Sequence, residues 1–195
     1  MQLIGAEQFP PQFRQYHQLI LEEIDTTDKL LKNFLLITNP TAPQFQPLNS
    51  ENLIHSAVQI LYPSSLMNEV NLTVTVNSPV HPILGDEEQL LKALLAVIQN
   101  SIDASPINGQ INIFLGEYQD DLEIKIVDYG TGIPEDIREQ IFDPFFTTRN
   151  EGTGLGLTIA RRILLAHHGE LVIDSESAFG TTVLLRIPIL KNNSF

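Results

Sequence analysis

The sequence predicts an α/β protein: a two-layer sandwich of a mixed β-sheet with helices on one face, preceded by one long helix. Three observations carry this reading. Apolar or semi-apolar residues at Tyr16, Ile20, Ile24, Thr27, Leu31 and Phe34 recur at steps of three and four, the spacing of one helical face. A stretch holding Pro40, Pro43 and Pro47 then separates that helix from the rest. Beyond it, short runs with period-2 alternation interleave with helical runs, which suits a mixed sheet covered by helices.

The first helix is expected over about 12–38. Its seam is narrow and close to the 3.5-residue period of a coiled coil or bundle, with Glu22, Glu23, Asp25, Asp28, Lys29 and Lys32 largely off it. Asn39-Pro40 ends the helix, and Pro43 and Pro47 make 41–49 a stiff, extended linker. Ser50 caps a second helix that reaches about Leu61, where Pro63 stops it. Residues 70–76 alternate as a strand. Residues 86–104 read as a long helix, rich in leucine and apolar around much of its circumference, hence buried. Strands at 111–115 and 122–127 flank the polar turn Gln119-Asp120-Asp121. A glycine-rich segment from Asp128 to Gly156 follows, then a helix over about 155–167 and two last strands, 170–174 and 182–187.

Composition narrows the function. With 43% hydrophobic and 18% charged residues in 195, there is material for a real core, and global disorder is a poor reading. The balance of 24 acidic against 11 basic residues gives −13. No cluster of Lys and Arg offers a face that could replace the counterions of a duplex, which argues against nucleic acid as ligand. A polyanionic ligand would have to be held locally, by backbone amides and a metal ion, against the global field. No cysteine is present, which excludes disulfides and thiolate metal sites and fits a reducing, cytoplasmic setting. Residues 1–9 lack the pattern of a signal peptide, and the most apolar helical stretch, Leu90 to Ile98, is interrupted by Lys92. It falls far short of the roughly 20 residues that span a bilayer, so no membrane insertion is expected.

Three segments bear on chemistry, and each has a plain reading beside the functional one. Gln99-Asn100-Ser101-Ile102-Asp103-Ala104 lies on the long helix. The Asn100 amide can offer its oxygen to a hard cation, or can simply bond the backbone. Asp128-Tyr129-Gly130-Thr131-Gly132-Ile133-Pro134 follows a strand directly. Its carboxylate can accept from an exocyclic amine while Gly130 and Gly132 allow close approach, or the segment is a glycine-rich turn with a solvated aspartate. Glu151-Gly152-Thr153-Gly154-Leu155-Gly156-Leu157 opens a helix. Free amides reached through glycines form an anion site there, the helix dipole adding roughly 0.3–1 kcal/mol per charge. The spacing is wrong for a dinucleotide fingerprint, and no Gly-Lys-Ser/Thr occurs for a Walker loop.

In order and together, these segments resemble the N, G1 and G2 boxes of the GHKL (Bergerat-type) ATP-binding fold. Ile141-Phe142-Asp143-Pro144-Phe145-Phe146-Thr147-Thr148-Arg149 between the last two is similar to the F box of sensor histidine kinases, and Gly180-Thr181-Thr182 to the family's final glycine motif. The resemblance covers about 50–190. It implies an ATP-binding catalytic domain at 50–195, a linker at 41–49, and at 1–40 a remnant of the helical dimerisation and phosphoacceptor hairpin, as in sporulation-kinase-like sensors. It also implies ATP and Mg²⁺ as cofactors. Asn100 would be the Mg²⁺ ligand and catalytic residue, Asp128 would read the adenine amine, and Thr181 would support that contact. Ala104, Gly130, Gly132, Ile133, Gly152, Thr153, Gly154, Leu155 and Gly156 would complete the ATP site, and 135–151 would be a lid pinned by Phe145 and Phe146. Arg149 would balance phosphate charge, or stand free on the surface; of Arg161 and Arg162, at least one is an ordinary surface side chain.

The same resemblance implies a protein histidine kinase that dimerises through its N-terminal helix and serves the receiver domain of a response regulator. Ala96, one turn before Asn100, stands where hydrolytic relatives carry a glutamate base, so an efficient ATPase is disfavoured. Tyr16 to Asp25 resembles the second helix of the hairpin, Met1 to Gly5 the tail of the first, and Ala6 to Phe13 the loop. The phosphoacceptor is then expected upstream or in trans. His17, His55 and His81 lack its His-Glu context, and His167-His168 ends a helix, where a cationic cap suffices. The alternative is a non-catalytic nucleotide-binding module that sequesters a regulator through its helix. A serine kinase of the anti-sigma type shares the boxes but not the Phe-rich lid.

Overall fold

The computed structural model describes residues 10–38, 41–77, 80–149, 152–176 and 179–190. The chain divides into two compact units, Met1–Pro40 and Thr41–Phe195. The first is α1, Pro11–Thr38. Its seam residues Tyr16, Ile20, Ile24 and Leu31 are each more than half exposed. The features expected at Met1 to Phe9 lie outside the described residues.

The second unit runs β1 (Gln46–Leu48), α2 (Ser50–Met67), β2 (Asn71–Val76), β3 (Ile83–Gly85), α3 (Glu87–Ala104), β4 (Gln110–Tyr118), β5 (Asp121–Asp128), α4 (Gly156–Ala166), β6 (Glu170–Glu176) and β7 (Gly180–Pro188). Five strands form one mixed sheet in the order β2-β4-β5-β7-β6, with β2 parallel to β4 and every other pair antiparallel. Alternation sorts its faces. Ile111, Ile113 and Leu115 on β4, Leu122, Ile124 and Ile126 on β5, and Val183, Leu185 and Ile187 on β7 are buried toward the helices. Burying each such side chain is worth about 1.5–3 kcal/mol.

The helical layer is α2, α3 and α4. In α3 the buried positions Leu90, Ala93, Leu94, Val97, Ile98, Ser101 and Ile102 form one stripe, so the helix is not buried all round: Glu87, Glu88 and Lys92 stay exposed. Asp86 caps α3, its Oδ1 accepting from the Gln89 N–H at 3.1 Å.

Two expectations at the entry to this unit are corrected. The stretch 41–49 is not only a linker, because Gln46–Leu48 pairs antiparallel with β3 and Leu48 is buried. Pro47 is tolerated there because this ladder has two strands only, so a missing donor can face away from the partner. The helix that Pro63 was expected to stop runs on to Met67, and its cap is Asn49 rather than Ser50, accepting from the Asn52 N–H at 3.0 Å. Pro63 deprives the Gln59 carbonyl of its donor, but both residues are exposed and water can take that place.

Asp86 also ties this entry segment down. Its Oδ2 accepts from the Gln44 N–H at 3.0 Å, and its own N–H donates to Nε2 of buried His167 at 2.9 Å. A ring nitrogen that accepts carries no proton, so His167 holds its proton on Nδ1, facing the Ile163 carbonyl at 2.7 Å. His167 is thus a neutral strut, not the cationic cap expected of it. Phe45 packs on His167 edge to face, centroids 5.3 Å apart.

Burial pushes the Asp86 carboxyl up, but the N–H groups of Gln44 and Gln89, with smaller contributions from His167 and the Glu88 N–H, together hold it below its ordinary value. Its stabilisation is therefore complete above the unfolded-state value and is lost as pH falls through the lower folded value. Asp86→Ala is expected to cost about 1–2 kcal/mol in urea unfolding at neutral pH, a difference that shrinks toward strongly acid pH.

Candidate active site

The period that buries Leu122, Ile124 and Ile126 also turns Asp128 inward, at the end of β5, where it is 3% exposed. Its Oδ1 accepts from the N–H groups of Gly130 and Thr181, both at 3.1 Å. Ser101, buried on α3, gives it a third hydrogen bond. Burial raises the Asp128 carboxyl above its ordinary value; these three hydrogen bonds and the charge of Arg149 oppose the rise without cancelling it. An ionised carboxylate has about four acceptor positions, so this one keeps capacity for a further donor.

Two glycines let the backbone close around Asp128. A Cβ on Gly130 would lie 2.3 Å from the Ala104 carbonyl oxygen, and one on Gly180, at φ 98°, 2.2 Å from that of Asp128. Ser175, buried on β6, accepts from the Ile133 N–H at 2.8 Å and donates to the Gly180 carbonyl at 3.0 Å.

A cleft of about 830 Å³ opens beside this group, an ordinary size for a small-molecule site. Eleven of the expected residues line it: Asn100, Ala104, Asp128, Gly132, Ile133, Arg149, Gly152, Thr153, Gly154, Gly156 and Thr181. Two do not. Gly130 acts from behind, by letting the backbone pass Ala104, and Leu155 is fully buried beneath α4. Ala96, Ile173 and Val183 also line the cleft, with Asp103 at its mouth.

The first turn of α4 has no side-chain cap, and Gly156 and Leu157 face the cleft, so amide donors are available there. Gly154, at φ 65°, is needed for conformation and close approach, since a Cβ would meet the Phe145 backbone at 2.3 Å. Gly156 is different. A Cβ there would sit at ordinary distances, 3.7 Å from Ala96 and 3.8 Å from the Asn100 amide, inside the cleft itself.

The lid segment contains two 3-10 turns, Glu135–Ile137 and Gln140–Phe142; Asn150 and Glu151 lie outside the described residues. It was expected to be pinned by Phe145 and Phe146. Phe146 lines the cleft, the Phe145 N–H donates to the Gly154 carbonyl at 3.0 Å, and Phe142 adds a further anchor. The Phe142 carbonyl accepts from Thr158 Oγ1 at 3.0 Å, and the Arg161 guanidinium stands 4.8 Å over its ring. Arg149 is not free: it is ion-paired with Asp103 and donates to the Asn100 carbonyl at 2.8 Å. Among the described residues, no group of three or more acidic, His or Cys side chains could cage a metal. A cation here would rest on Asn100 and on oxygens of its ligand.

His81, which lacks the His-Glu sequence context, meets an acidic side chain at long range: Glu117 Oε1 lies 2.8 Å from its Nδ1, across 36 residues of sequence. The His81 N–H and ring hold the Glu117 carboxyl below its ordinary value. Neither residue lines the cleft.

Residues 85–191 match the family described as histidine kinase-, DNA gyrase B-, and HSP90-like ATPase, and the chain belongs to it. Signal transduction histidine-protein kinase AtoS of Escherichia coli is 31% identical over 190 residues, 97% of this chain and 31% of AtoS. Sporulation kinase C of Bacillus subtilis is 31% identical over 188 residues, 94% of this chain and 43% of that kinase. The solved catalytic domain of histidine kinase ThkA matches with a TM-score of 0.68 at 27% identity, covering 75% of this chain and 96% of that domain. The chain therefore spans less than half the length of these curated relatives, and within the family it carries an ATP-binding catalytic domain of the histidine-kinase kind. Its mixed sheet and helical layer are those the sequence predicts.

Gly156→Ala separates fold from site. Alanine in a helix is favoured over glycine by about 1 kcal/mol, so thermal unfolding of the free protein is expected at or above the wild-type temperature. The methyl group intrudes on the cleft, and ATP affinity measured by calorimetry is expected to fall roughly tenfold or more.

Proposed function

We propose that this chain binds Mg-ATP in the cleft and supplies the phosphoryl-transfer half of a cytoplasmic sensor histidine kinase. The observation that carries the reading is the cleft's polarity. Into the same cleft, buried Asp128 presents spare acceptor capacity, and the uncapped first turn of α4, Asn100 and Arg149 present amides and charge. A ligand with an amine at one end and phosphates at the other fits both.

In this reading Asp128 accepts from the adenine amine, with Thr181 beside it. The amides at Gly154 and Gly156 and the Arg149 guanidinium hold the phosphates, and Asn100 holds Mg²⁺. The metal, when bound, neutralises charge on the triphosphate and orients it. The chain contributes position and charge, which is most of what phosphoryl transfer needs. The acceptor is a neutral imidazole nitrogen that attacks the γ-phosphorus as ADP leaves. It is none of the five histidines here and is met in trans or elsewhere on a longer chain. Two observations support this: His167 has both ring nitrogens engaged in the fold, and none of the second unit's histidines, His55, His81, His167 and His168, lines the cleft. The phosphohistidine would then serve a response regulator. ThkA, which shares this fold, has been solved in complex with response regulator protein TrrA.

Incubation with Mg²⁺ and γ-labelled ATP tests this, with and without a separately purified phosphoacceptor helix pair. We expect ATP binding that Asp128→Ala abolishes, no acid-labile label on this chain, and label on the added histidine. Label on the chain itself would overturn the assignment of the acceptor.

We further propose that α1 pairs with a second copy along Tyr16, Ile20, Ile24 and Leu31, whose apolar surface is exposed within the single chain. Light scattering is expected to show self-association that rises with concentration and is lost in Ile20→Glu. No helix among the described residues is long and apolar enough to cross a membrane.

A further inference from the structure

Ser175 lies on β6 behind the base end of the cleft, outside the motifs that single out Asp128 and Thr181. Its Oγ has three neighbours: the Ile133 N–H at 2.8 Å, the Gly180 carbonyl at 3.0 Å and Thr181 Oγ1 at 3.0 Å. Ser175 and Thr181 are 6% and 9% exposed, so bulk water does not compete freely for these bonds. A serine hydroxyl has one proton to give and two lone pairs to receive with. The Gly180 carbonyl can only accept, so the Ser175 proton goes there. The Ile133 N–H can only donate, so it fills one lone pair. The remaining contact closes in one way: Thr181 donates its hydroxyl proton to Ser175.

Thr181 lines the cleft, and Ser175 does not. With its proton turned back to Ser175, Thr181 shows the cleft lone pairs only. Asp128 beside it, when ionised, is also acceptor-only, and its Oδ1 already receives the Thr181 N–H at 3.1 Å. The polar edge at this end therefore asks its ligand for hydrogens.

We propose that Ser175 is a specificity-determining positioning residue: by fixing the Thr181 hydroxyl as an acceptor, it makes the site prefer a 6-amino purine over a 6-oxo purine. The inference rests on the reading that the base lies with its 6-substituent, rather than N1, against Asp128 and the Thr181 hydroxyl. A 6-oxo group would put an acceptor against an acceptor, and a site that leaves buried polar groups unmatched discriminates strongly. Ser175 touches no ligand in this account; it acts through Thr181.

The test is calorimetric binding of ADP and inosine diphosphate to the whole chain. The wild type is expected to prefer ADP by at least tenfold. In Ser175→Ala the Thr181 hydroxyl is free to turn and donate to the 6-oxo group. Inosine diphosphate is then expected to bind several-fold tighter than to the wild type, while ADP is unchanged or weaker. A gain of this kind is not what a loosened fold produces. In the double variant Ser175→Ala/Thr181→Val the gain is expected to vanish, because the hydroxyl that made it is gone.

Loss of both ligands in equal measure in Ser175→Ala would overturn the proposal and leave Ser175 a strut for Ile133. Should that variant fail to fold, Thr181→Val alone decides: a loss confined to ADP supports the proposal, and equal losses or none overturn it. A wild type that bound both nucleotides alike would instead count against the placement of the base at Asp128, and the inference would fall with it.

Discussion

A carboxylate buried at the end of a strand is costly unless donors surround it, and Asp128 is where this chain meets that cost. Its inward direction follows from the alternation that fills the core, so it cannot turn to solvent without β5 slipping register. The donors come from three places in the sequence: Gly130 just beyond the strand, Thr181 on β7 and Ser101 on α3. Holding this one carboxylate thus fixes the G1 turn, the neighbouring strand and the central helix against each other. Gly130 and Gly180 are glycines because that closure leaves no room for a Cβ. Even so, burial keeps the carboxyl raised. A further donor reaching it from the cleft would relieve that cost.

The other end of the cleft works by exposure. The first turn of α4 is left without a side-chain cap, and the chain reaches it through Gly152, Gly154 and Gly156. In a protein carrying −13, a polyphosphate can be held only where donors are concentrated. Arg149 adds charge there, but it is already committed to Asp103 and to the Asn100 carbonyl. It therefore ties the lid to the turn of α3 that carries Asn100.

What the sequence made legible were features of short range or fixed period. The strands β4, β5 and β7 and the helices α3 and α4 could be read because each repeats a pattern over eight residues or more. The glycine-rich segments at 128–134 and 151–157 stand out because glycines at close, fixed spacing are visible among neighbours in sequence. What stayed hidden lies at long range or below the length of a pattern. Strands β1 and β3 have three residues each, and β1 contains a proline. Ser175 meets Ile133 across 42 residues, and His81 meets Glu117 across 36, with nothing local to announce either. Pro63 reads as a stop wherever its carbonyl partner is buried; here that partner faces water, and the helix continues.

The strap at 41–48 gives the domain a mechanical property. Gln44 is hydrogen-bonded to Asp86, the residue that opens α3, and Thr41 accepts from Gln89 one turn further on. Leu48 is buried, and Phe45 leans on His167, which grips Asp86 from the far side. A pull or twist applied at Thr41 would not be lost in a slack tether. It would be delivered to the root of the helix whose other end carries Asn100, so the connection before β1 acts as a lever arm whose fulcrum is Asp86.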